Sequence, residues 1–168
     1  MLLATLLVAF GVPGEVQKDN TQARIKAIYL YNIATLVDWP DKYKKGSFVI
    51  GVYGEDKLYE ELVANHSTKT VGSQPIKVRK FRTEAEIERC HILFIGYNKN
   101  SSAANLVSKF KKTSTLIVTE SPGMLGNGAV VNFIVQNNRQ VYELSKKNAS
   151  KYDLVVNSTL ENYAARVE

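Results

Sequence analysis

The chain has 168 residues, enough for one domain with its own core and short for two. Apolar residues make up 45% of it and charged residues 23%, an ordinary globular balance that excludes a disordered or fibrous chain. The formal charge of +6 suits anionic head groups or an acidic protein partner. It argues against nucleic acid, because the basic residues fall in short scattered runs at 42–45, 77–82 and 109–112.

The first ten residues, "MLLATLLVAF", are too few to span a bilayer as a helix, which takes about 20. They read as the hydrophobic part of a secretory signal peptide, so residues 1–17 are expected to be removed on export and 18–168 to form a single domain. Residues 20–37 place Ala23, Ala27, Leu30 and Ala34 at helical spacing, and Pro40 is expected to end that helix at Trp39. "SFVIGVYG" (47–54) is a buried strand and "EDKLYEELVANH" (55–66) a helix with acids at its start. "QPIKVRKF" (74–81) alternates, with Ile76, Val78 and Lys80 on one face. Thr83 and Glu86 predict a capping box and a short helix over 83–89.

"CHILFIGY" (90–97) is the most apolar strand, a helix follows at 101–112, and "STLIVTES" (114–121) is another buried strand. The loop 122–128 leads into a hairpin over 129–145 that turns at Asn137-Asn138. One or two helices close the chain, with Asn157 as a cap. Strands alternating with helices through residue 121 predict an α/β fold. It is a single three-layer Rossmann/flavodoxin-like domain, its mostly parallel sheet carrying an antiparallel hairpin at one edge.

No catalytic pattern emerges. There is no Walker-type phosphate loop, and the glycines of "GMLGNG" lead into a strand rather than a helix. Cys90 and His91 are neighbours on a strand and must point to opposite faces, which defeats a metal site or a thiolate–imidazole pair. No Gly-x-Ser-x-Gly turn is present. The sequence therefore predicts no catalytic residue, no metal and no cofactor. Cys90 is the only cysteine, so no disulfide can form within one chain, and it reads as a small core residue.

In order along the chain, "KAIYLYNIATLVDWP", "SFVIGVYGED", "CHILFIG", "TLIVTESPGMLGNGAVVNFIVQNNRQVYELS" and "NASKYDLVVNSTLENYAARV" resemble the YfiR family of bacterial periplasmic regulators, over about residues 23–167. The resemblance implies a secreted, non-enzymatic α/β domain. The best-described members restrain a membrane-bound diguanylate cyclase by binding its periplasmic sensor domain, so cyclic-di-GMP rises on release. Related domains are fused to membrane histidine kinases, which implies an alternative role in sensing a small ligand. Redox-responsive members carry several cysteines, and this sequence departs from them.

Two sets of site residues follow. Trp39, with Tyr29, Tyr31 and Tyr43 nearby in sequence, is a candidate partner-binding patch, since interface hot spots favour such side chains. The competing reading is that Trp39 plugs the core beneath Pro40, its N–H bonded to a carbonyl. Asn132 and Arg139 are candidate ligand contacts in a cleft at the carboxyl ends of the strands, lined by the loop "TESPGMLGNG". The partners expected are the periplasmic domain of a membrane signalling protein, a small-molecule ligand or a second copy of the chain.

Overall fold

A computed structural model describes residues 13–168, with side chains from Asn20 onward. The apolar run read as an export signal therefore lies, through residue 12, outside the described residues. The first helix, α1 (Pro13–Leu36), starts ahead of the expected residue 20, with a proline at the first helical position, where its missing N–H costs nothing. It buries the expected stripe of Ala23, Ala27, Leu30 and Ala34. Pro40 is not what stops it. Residues Val37–Asp38 form β1, paired antiparallel with β9 (Val155–Val156), and the Asn157 N–H donates to the Leu36 carbonyl at 2.9 Å. Pro40 instead heads a 3₁₀ turn at Asp41–Tyr43.

The main sheet is built from β2 (Phe48–Tyr53), β3 (Thr70–Val71), β4 (Gln74–Phe81), β5 (Ile92–Ile95), β6 (Leu116–Thr119), β7 (Val131–Gln136), β8 (Arg139–Leu144) and β10 (Arg166–Val167). Its spatial order is β10-β8-β7-β6-β5-β2-β4-β3. Strands β4, β2, β5, β6 and β7 run parallel, and β8 returns antiparallel to β7. The parallel core thus starts in the middle, moves one way to β4, then crosses back to β5. That is the doubly wound, flavodoxin-like order, with its switch point between β2 and β5.

Two helical layers cover this sheet. On one face α1 and α2 (Asp56–His66) pack Leu30, Ile33, Leu58 and Leu62 against Ile50, Val52, Ile92, Phe94, Leu116 and Val118. On the other, α3 (Asn100–Phe110) packs Ala103, Leu106, Val107 and Phe110 against Tyr53, Leu93, Ile95 and Ile117. The alternation Ile92/Phe94 against Leu93/Ile95 is the strand period of two, both faces being apolar because both are covered. The chain closes with α4 (Lys146–Lys151), β9, α5 (Ser158–Asn162) and β10. The fold is the expected three-layer α/β domain with an antiparallel hairpin.

Local expectations fared unevenly. The hairpin turns at Asn137 and Asn138, both left-handed at φ 51° and 58°, as a two-residue turn of the I′ kind demands. The Asn157 side chain caps α5 by accepting from the Thr159 N–H at 2.8 Å. The helix expected over 83–89 is only a 3₁₀ turn at Glu84–Glu86, and Thr83 makes no side-chain cap. Ile87 explains why. It is the segment's buried anchor, it turns to extended dihedrals to reach the α3-side core, and its carbonyl accepts from Lys109 Nζ at 3.2 Å.

Candidate functional site

The carboxyl end of the parallel sheet carries a buried charge cluster. Glu55 follows β2, Glu120 follows β6, and Lys26 reaches down from α1 between them. The Lys26 ammonium donates to both Glu55 oxygens, at 3.1 and 2.9 Å, and pairs with Glu120 as well. Glu120 also accepts from the Tyr97 N–H, just past β5, at 2.8 Å. The Lys26 side chain is 7% exposed and the two glutamates 19% and 16%. At this point the backbones crowd: a Cβ on Gly96 would lie 2.8 Å from the Gly54 carbonyl, so only glycine fits after β5.

Burial alone would lower the Lys26 pKa, but the charges of Glu120 and Glu55 and their hydrogen bonds outweigh it and hold it above the usual value. Burial raises the Glu55 pKa, repulsion from Glu120 adds to that, and Lys26 offsets part of it. Two carboxylates and one ammonium make a latch that fixes α1 to the switch point. Sequence reasoning missed it, although a signal existed. Lys26 lies three residues after Ala23 and four before Leu30, on the stripe that otherwise holds only apolar residues.

The amino end is neutral and aromatic. Trp39 is 5% exposed and meets Phe48 edge-on, with ring centroids 5.0 Å apart. His91, just before β5, stacks on Phe48 at 4.4 Å and lies 6.0 Å from Trp39 and 5.9 Å from Tyr43. Its Nδ1 accepts from the Val49 N–H at 3.0 Å while Nε2 donates to the Tyr43 carbonyl at 2.8 Å, so the ring is the neutral Nε2–H tautomer. Burial lowers the His91 pKa; the Tyr43 hydrogen bond opposes this and Arg89 adds to it. The Tyr43 hydroxyl accepts from the Ser114 N–H at 3.0 Å, and Gln74 Nε2 donates to the Tyr43 carbonyl at 3.0 Å. Tyr43 therefore ties together the starts of β4, β5 and β6. The Trp39 indole N–H has no acceptor among the described residues, so the expected carbonyl bond is not made.

The four candidate docking aromatics do not form one patch. Trp39 and Tyr43 meet across His91, but both are buried. Tyr29 turns toward the hairpin, 6.0 Å from Phe133 and 5.4 Å from Tyr142, and its hydroxyl donates to the Gln140 carbonyl at 3.2 Å. Tyr31 turns toward α2, 5.2 Å from His66, with Lys69 Nζ 4.5 Å above its ring. Tyr29 and Tyr31 keep part of their surface open, and Ile28 beside them is 44% exposed.

The two candidate ligand contacts are also apart. Asn132 is fully buried: its Oδ1 accepts from Thr119 Oγ1 at 2.8 Å and the Ser121 N–H at 3.1 Å, and its Nδ2 donates to Glu143 at 3.1 Å. Arg139 is exposed at the hairpin turn, paired in register with Gln136. Cys90 is buried on the α3 side beside Gly51, and burial pushes its thiol up to about 12. Among the described residues, no group of three or more His, Cys, Asp or Glu is placed to hold a metal ion. No helix among them is long and apolar enough to cross a membrane.

The latch fixes α1 at one end of the sheet, and the aromatic corner ties the strand starts together at the other. The sequence profile of the YfiR/HmsC-like family matches residues 23–165. The chain belongs to the YfiR/HmsC-like family. The match begins in the buried stripe of α1 and ends just before β10, so both ends of the YfiR/HmsC-like sheet fall within it. The family is one of periplasmic regulators rather than enzymes. A search of the curated proteins finds no match to the chain.

Proposed function

We propose that this chain is a non-enzymatic periplasmic regulator that binds the sensor domain of a membrane diguanylate cyclase and holds the cyclase in its inactive state. The observation that carries this reading is family membership over residues 23–165. Restraint requires differential affinity: the chain must bind the inactive conformer of its partner better than the active one. Moving a partner from 1:99 to 99:1 takes about 5.5 kcal/mol of difference. Three well-buried hot-spot side chains, at about 2 kcal/mol each, reach that figure.

The docking surface proposed is the outer face of α1. Ile28 is its exposed apolar residue, half-buried Tyr29 and Tyr31 flank it, and Arg24, Asn32 and Thr35 give it a polar rim. Trp39 and Tyr43 are too buried to touch a partner directly. Deleting the gene in the host cell tests the function. Cyclic-di-GMP is expected to rise and to fall again when the gene is restored. An unchanged cyclic-di-GMP level after deletion contradicts the proposal.

A further inference from the structure

A cleft of about 510 Å³ lies between α3, the loop after β6 and α4, away from the α1 face. That volume falls in the range of small-molecule sites. One wall is α3 at Val107, with Lys111 and Lys112 just past its end; the other is Lys151 and Tyr152 at the end of α4. The floor is backbone. Gly128 sits at φ 108°, and a Cβ there would lie 2.6 Å from Val107 Cγ1 and 2.9 Å from the Tyr152 hydroxyl, so no side chain fits. The loop is also pinned. The Tyr152 hydroxyl donates to the Gly128 carbonyl at 2.7 Å, and Asn148 Nδ2 donates to the Leu125 and Ala129 carbonyls at 2.7 and 2.8 Å. The cleft is preformed, not an accident of a loose loop.

Its charge sets it apart. Lys111, Lys112 and Lys151 line it, no carboxylate does, and none of the three makes an ion pair among the described residues. Three other clefts among the described residues each contain an acid: Asp38 opposite Lys44, Asp56 opposite Lys80, and Glu120. Each lysine taken singly offsets the carbonyls at the end of its helix. That effect does not require two helices to deliver their lysines to one cleft with no acid between them. Three like charges around one concavity repel one another and raise the local concentration of anions.

We propose that this cleft is a binding site for a small organic phosphate. The three ammonium groups take the anion as point charges, and the Val107 and Tyr152 wall borders the organic part. The site is separate from the docking face on α1 and does not depend on it.

The test is an NMR titration of isotope-labelled protein with phenyl phosphate, and in parallel with inorganic phosphate, at constant ionic strength set by chloride. Saturable shifts are expected at the amides of Gly126, Asn127, Gly128 and Lys151. They should weaken at least about tenfold in a Lys111→Gln/Lys151→Gln double variant, a loss of about 1.4 kcal/mol. All three lysines are exposed, so the variant keeps its melting temperature. A Lys80→Gln/Arg82→Gln variant, altering the cleft that holds Asp56, should bind normally. Tighter binding of phenyl phosphate than of inorganic phosphate shows that the organic part is recognised. Equal affinity overturns the organic ligand, leaving a site for free phosphate. Absence of saturable shifts, shifts confined to Lys80, Arg82 and Lys99, or full binding by the lysine double variant overturns the site itself.

Discussion

The two ends of the sheet solve one problem with opposite chemistry. At each, an element outside the sheet must be fixed across several strand ends. At the carboxyl end the fixing is ionic: Lys26 of α1 clamps Glu55 and Glu120, leaving one negative charge in excess. At the amino end it is neutral: Tyr43 and His91 exchange hydrogen bonds with backbone, and Trp39, Phe48 and His91 pack ring to ring. An ionic clamp depends strongly on each partner, because a lone charge left in the interior has nothing to offset its lost hydration. A neutral aromatic corner depends on volume, because what it loses on truncation is packing. The ends should therefore fail differently.

The largest loss is expected from Trp39→Ala, about 4 kcal/mol by urea unfolding, since the ring fills the corner against Phe48 and His91. Trp39→Phe should recover much of it, because the unpartnered indole N–H contributes no hydrogen bond. Lys26→Met comes next at about 3 kcal/mol, leaving two carboxylates facing one another. Most of that loss should return when Glu55→Gln and Glu120→Gln are added, a non-additivity that a packing role for Lys26 would not produce. Tyr43→Phe should cost about 2 kcal/mol, for it strips the acceptor from the buried Ser114 N–H and keeps the ring.

The smallest effect is the most discriminating, because acid should move the two ends in opposite directions. Burial holds His91 below its ordinary value of 6.5, with Tyr43 opposing and Arg89 reinforcing, so the unfolded chain takes up its proton first. Its contribution is complete above pH 6.5 and is lost as the pH falls toward the folded value. His66, lowered by burial and then by Lys69, adds in the same direction. Glu55, raised above 4.5 by burial and Glu120, runs the other way: the fold binds its proton first, so stability is regained as the pH falls through the folded value. Unfolding at about pH 7 and about pH 5.5 checks this. The stability advantage of the parent over His91→Gln should shrink on acidification, and the stability of the parent relative to Glu55→Gln should rise.

Much of the sheet was legible because its signals are local. Asn137-Asn138 reads as a tight turn, Asn157 as a helix cap, and "CHILFIG" has the apolar density of a central strand. What escaped was set by tertiary pairing. Two residues at β1 and two at β9 have no pattern of their own, and they, not Pro40, stop α1. The docking aromatics show the same limit. Tyr29 and Tyr31 are two apart in sequence, but on a helix that is about 200° of rotation, so one faces the hairpin and the other α2. The Lys26 clamp was readable as a charge on an apolar stripe; its two acids were not, since only the switch point brings residues 55 and 120 together.

The central claim is that the chain acts by docking through α1. Calorimetric titration of the purified protein against the periplasmic sensor domain of the cyclase it is proposed to restrain tests this most directly, with Ile28→Arg alongside. The account predicts saturable binding that weakens at least about tenfold in the variant, a loss of about 1.4 kcal/mol, with its melting temperature unchanged. No binding by the parent protein, or equal affinity in Ile28→Arg, would contradict it.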